Sequence, residues 1–88
     1  MKVYVVTSLI ENADIGAEVN VISIEKNRRD AWLKITELLE TLKGEYEENE
    51  IDYNMETFED EQKRPFGIVV TADNNEVITL EYQESEVE

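Results

Sequence analysis

Ala31, Trp32, Ile35, Leu38, Leu39 and Leu42 recur at spacings of three and four, which places them on one face of a helix. No other segment of the chain shows that period, and this limits the fold more than any other feature. A single amphipathic helix cannot bury its apolar stripe alone, so the rest of the chain has to supply a surface to cover it. Asn27 is a suitable N-cap, with Asp30 at the third helical position, and Gly44 after Lys43 is the expected stop. Trp32 shares the apolar face with Ile35 and Leu39 and is expected in the core.

The remaining apolar residues follow strand patterns. Val3 to Ile10 is rich in Val, Tyr and Ile and ends in the turn-forming stretch Glu11 to Gly16. Glu18 to Glu25 follows as a second run, so the two predict an antiparallel hairpin. Both faces of the first strand are apolar, which suits a central strand or one covered on its second face by another copy of the chain. Ile51, Tyr53 and Met55 alternate with polar residues and predict a third strand over Glu50 to Thr57, although continuation of the helix through Glu48 also fits. Phe58 to Pro65 reads as a loop. Phe66 to Thr71 and Glu76 to Tyr82 form a second hairpin around Asp73, Asn74 and Asn75, which tolerate the positive φ of a tight turn. The expected fold is α+β, an antiparallel sheet with one amphipathic helix packed across it in the order ββαβββ. A single domain over residues 1–82 is followed by an acidic tail, 83–88, expected to fray.

With 88 residues there is room for one core. The chain has neither cysteine nor histidine, which removes disulfides, thiolate chemistry and the usual base for a serine nucleophile. Its glycines are too scattered to cradle phosphates, and no metal or cofactor site is expected. Asp73 to Glu76 lacks the glycine and distant glutamate of a calcium loop and reads as a turn. These absences point away from an enzyme. The apolar N-terminal run is too short for a signal-peptide core or a membrane span, so a complete cytoplasmic chain is expected.

Twenty-two acidic against eight basic residues give a net charge of −14. Direct binding to nucleic acid or an anionic membrane is disfavoured, because both need cations to neutralise phosphates. A basic protein partner is favoured. Residues 45–61 hold nine acids and no base: Glu45, Glu47, Glu48, Glu50, Asp52, Glu56, Glu59, Asp60 and Glu61. Tyr46 and Tyr53, interleaved with these acids, are the aromatics expected to be exposed. Lys26, Arg28 and Arg29 form a basic cluster read as balancing neighbouring Glu25 and Asp30.

In size and charge the chain resembles the acidic DNA-mimic inhibitors that phages and mobile elements direct against nucleic-acid-binding proteins. That resemblance implies a non-enzymatic domain whose acids occupy a basic groove. The alternative expectation is an assembly module that self-associates, as a homodimer, through an apolar sheet face, with the acids serving solubility.

Overall fold

The computed structural model describes residues 1–87. Five strands form one antiparallel sheet: β1 (Lys2–Asn12), β2 (Gly16–Glu25), β3 (Tyr53–Glu59), β4 (Pro65–Ala72) and β5 (Glu76–Glu86). One helix, α1 (Arg28–Glu48), lies between β2 and β3 in the chain. The order across the sheet is β2-β1-β5-β4-β3, so β2 and β3 are the edges. The expected α+β architecture and element order are both present.

The helix starts where the sequence places it. The Asn27 side chain accepts from the Asp30 N–H at 2.8 Å and its amide donates to the Asp30 carboxylate at 3.1 Å, a reciprocal cap. Ala31, Ile35, Leu39 and Tyr46 are the helix residues buried against Val6, Ile68, Val70, Ala72, Ile78, Leu80 and Tyr82 of the sheet. Trp32 packs half-buried against the same cluster, as expected of a core residue.

The helix does not stop at Gly44. Tyr46 continues the apolar stripe one turn beyond Leu42, and its burial holds the extra turn in place. The true end is a Schellman motif: the Ile51 N–H donates to the Tyr46 carbonyl at 2.8 Å and the Glu50 N–H to the Glu47 carbonyl at 3.2 Å. Glu50 takes the left-handed position, φ 57°, which glycine normally fills. Gly44 is an exposed residue in the helix interior, with no atom within 4 Å of a built Cβ. Gly44→Ala and Glu50→Gly should therefore each raise unfolding stability by about 1 kcal/mol, read from urea denaturation midpoints.

Three further boundaries differ from expectation. The first hairpin connection is only Ala13 to Ile15, because β1 runs on to Asn12 and pairs it with Gly16. The third strand begins at Tyr53 and extends to Glu59, since the Schellman turn occupies Glu50 and Ile51 and Phe58 pairs with Gly67. Gln83 to Glu86 do not fray: they complete β5 by pairing with Lys2 to Val5. Glu88, the last residue of the expected tail, lies outside the described residues. The Asp73 to Asn75 turn forms as predicted, with Asn75 at φ 67°.

Only one face of the sheet is covered. β1 is an interior strand, yet its Val5 and Leu9 face away from the helix and stay half-exposed. Among the described residues no helix is long and apolar enough to cross a membrane.

Candidate functional site: an acidic pole

The topology sorts charge along the molecule, which measures 43 × 25 × 22 Å. Strand pairing brings the β1–β2 turn, the β4–β5 turn and the start of β3 to one end of the sheet. The C-terminus of α1 joins them, fixed by a hydrogen bond of 3.0 Å from the Tyr46 hydroxyl to the Glu76 carboxylate. Three stretches far apart in sequence, 11–18, 45–52 and 73–76, therefore form one surface. They carry Glu11, Asp14, Glu18, Glu45, Glu47, Glu48, Glu50, Asp52, Asp73 and Glu76 and no Lys or Arg. Those ten carboxylates account for most of the net charge of −14.

Among the described residues, the opposite end is close to neutral. Lys2, Lys26, Arg28, Arg29, Lys63 and Arg64 lie there with seven acids, Glu25, Asp30, Glu59, Asp60, Glu61, Glu84 and Glu86. Arg28 pairs with Asp60 at 3.5 Å and Glu84 at 4.0 Å and stands 5.6 Å over the Tyr4 ring. Arg28 of the basic cluster is thus paired, although with acids other than the adjacent Glu25 and Asp30 expected from sequence. Sequence distance hid Asp60 and Glu84 from that reading.

The nine acids singled out in the sequence consequently divide. Glu45, Glu47, Glu48, Glu50 and Asp52 belong to the pole. Glu56 projects from edge strand β3, opposite Val69 on the face away from the helix. Glu59, Asp60 and Glu61 are at the far end. The Asp60 carboxylate is occupied within the chain: it accepts from the Gln62 and Arg64 N–H groups, both at 2.9 Å, and from the Arg64 guanidinium at 3.0 Å. The Arg64 N–H contact contributes most to holding its pKa below the usual carboxylate range. Five acids of the pole, Glu11, Asp14, Glu18, Asp73 and Glu76, were missed because only strand register brings them there.

Tyr46 and Tyr53 are not an exposed pair. Tyr46 is 4% exposed and Tyr53 is half-buried beside it, with ring centroids 5.4 Å apart. Their rings floor a shallow depression at the pole, rimmed by Glu47, Glu50 and Asp52. The acids around Tyr46 in sequence disguised its place on the helical stripe.

Burial, then the hydrogen bond to Glu76, push the Tyr46 hydroxyl above the ordinary phenol value of 10.0. A raised folded-state pKa means that the contribution is fully present below about 10 and is lost as pH rises through the folded value. Thermal scans at rising alkaline pH should show the native chain losing stability above that point, with a flatter profile for Tyr46→Phe.

Among the described residues no group of three or more acids is close enough to hold a metal ion. The pole's carboxylates point outward from several elements. What such an array does chemically is attract cationic groups and repel phosphates. Comparison of the chain with protein-family models, with curated proteins and with solved structures returned no match.

Proposed function

We propose that this protein is a non-enzymatic binding domain whose acidic pole docks on a basic protein surface. The observation that carries the reading is the sorting itself: ten acids and no cation in the three stretches at one end, with six of the eight cations at the other and the remaining two, Lys34 and Lys43, on the helix between them. Acids needed only for solubility can be spread over the surface. Here they are concentrated where they cost stability. Glu45, Glu47 and Glu48 crowd the C-terminal end of α1, whose last turn has no base, against the sign the helix dipole prefers.

Charge density supports mimicry of nucleic acid as the sharpest form of this reading. Duplex DNA presents one charge per ~1.7 Å of axis, so ten charges occupy ~17 Å. The pole presents its ten within a cross-section of 25 × 22 Å. A groove built to bind phosphates therefore meets a comparable field, and the domain acts as an inhibitor by occupying it.

The test is capture of partners from a cell extract, eluted in steps of rising salt, with three baits. The native chain and a control carrying Glu59→Lys and Glu61→Lys at the far end should retain the same basic nucleic-acid-binding protein. A bait with lysines at Glu47, Glu50 and Asp52 should not. Equal retention by all three would refute the reading.

A further inference from the structure

Beside the first hairpin the acidic pole is hollowed by a small cavity of mixed character. α1 crosses the sheet obliquely. Its first half flanks β2, where Asp30 and Glu37 line a groove with Ser23 and Glu25, and its last turn stands beside Tyr53 of β3. The pole end of β1 and β2 is therefore left without helix above it. Strand register turns Ile10, Asn12, Glu18 and Glu76 toward that gap, on the same side of the sheet as the core residue Ile78. With Ile15 of the β1–β2 turn and the start of β2 they enclose about 120 Å³, the volume of roughly four water molecules.

Taking the acidic pole as the docking surface, we propose that this cavity receives an arginine side chain of the basic partner. Its stem lies on Ile10 and Ile15, and its guanidinium sits between the Glu18 and Glu76 carboxylates. Two independent features select that occupant. The first is charge: Glu18 and Glu76 line the cavity in a region that holds no Lys or Arg to neutralise them. The second is the apolar wall. Ile10 is half-buried, and Ile15 is 87% exposed, more than any other large apolar residue described. A lone exposed isoleucine is ordinary on most surfaces. Here it faces carboxylates across a cavity, and an apolar wall opposite an acidic one matches a long cationic side chain, with its apolar stem and charged head.

Arginine fits better than lysine or a metal ion. Glu18 on β2 and Glu76 on β5 approach from either side of β1. The guanidinium fork can serve two carboxylates at once, whereas an ammonium is a compact, strongly hydrated point charge. Glu76 is held by the Tyr46 hydroxyl at 3.0 Å, which fixes one of the two acceptors and leaves it further lone pairs. The Asn12 side-chain oxygen is taken by the Asp14 N–H at 2.9 Å, so the carboxylates are the acceptors that remain. A hard metal ion needs more oxygens than these, and the described residues bring no three acids close enough to supply them.

Titration of the isotope-labelled chain with hexa-arginine and with hexa-lysine at ~0.15 M salt, followed by nuclear magnetic resonance, tests it. The native chain should bind hexa-arginine roughly 4-fold more tightly, the effect of about one buried methylene group, and the Ile10 and Ile15 methyl signals should move with that peptide. Ile15→Ser, an exposed turn substitution that leaves the net charge unchanged, should bring the two affinities to parity without altering that for hexa-lysine. Glu48→Gln, which removes a pole charge outside the cavity, should weaken both peptides alike and keep the preference. Equal affinities in the native chain, or a preference that survives Ile15→Ser, would overturn the arginine anchor while leaving the pole as the docking surface. Failure of both peptides to shift residues 11–18, 45–52 and 73–76 would refute the pole itself, and the anchor with it.

Discussion

Replacing Glu47, Glu50 and Asp52 together with lysine is expected to weaken binding to a basic partner about 10-fold at ~0.15 M salt, and at the same time to make the protein more stable. The two effects have one source. A carboxylate ~7 Å from a partner cation is worth ~0.6 kcal/mol in water, so each reversal exchanges that attraction for an equal repulsion. Three reversals amount to ~3.6 kcal/mol, and screening over a Debye length of ~8 Å leaves about 1.5 kcal/mol, or roughly 10-fold. Within the protein the same lysines relieve repulsion among the ten pole acids and place cations at and beyond the C-terminus of α1. Calorimetric titration gives the first effect and thermal unfolding the second. A triple variant that binds weakly because it is unfolded would show the opposite change in stability, so the two explanations separate.

The second large effect is expected in the core. Ile35 is fully buried at the centre of the helix–sheet contact. Ile35→Ala removes three carbons from a site enclosed by the sheet and should cost about 3 kcal/mol. With a urea dependence of ~1.5 kcal/mol per molar for a chain of this size, the denaturation midpoint should fall by about 2 M. Leu33→Ala, at a helix position 49% exposed, should change it little by comparison. The contrast tests whether the face of α1 that meets the sheet is the one assigned here.

Much of this architecture was legible in the residues. Ala31, Ile35 and Leu39 announced the buried side of the helix, Asn27 its start, and Asp73 to Asn75 the second hairpin. Each of those signals is local, a period or a cap settled within a few residues. Gly44 misled because glycine is the commonest C-terminal signal, and what overrides it here is tertiary: Tyr46 finds a pocket against the sheet and a partner in Glu76, and the helix extends to keep both. Tyr46 was readable in principle, lying four residues after Leu42 on the same stripe, but its acidic neighbours suggested a solvated segment.

The candidate site was less legible than the fold, for a physical reason. Five of the pole acids stand in one run and were evident as charge. Glu11, Asp14, Glu18, Asp73 and Glu76 joined them only when antiparallel pairing carried two turns to the C-terminal end of the helix. Glu59, Asp60 and Glu61, from that same acidic run, were carried to the other end by the length of β3. A run of charge in sequence is thus divided by a strand, while separate charges are gathered by turns. The uncovered apolar face was visible as two-sided hydrophobicity in β1, but which side lacked a cover depended on register and on the irregularity between Val6 and Thr7 that shifts β2 by one residue.

The acidic pole as a docking surface is tested most directly by nuclear magnetic resonance, titrating isotope-labelled protein with an arginine-rich peptide and mapping the backbone amides that respond. The account predicts saturable shifts confined to residues 11–18, 45–52 and 73–76, collapsing in the triple lysine variant and weakening with salt. Shifts centred on Glu59 to Glu61 and Glu84, or spread evenly over the acidic surface, would contradict it.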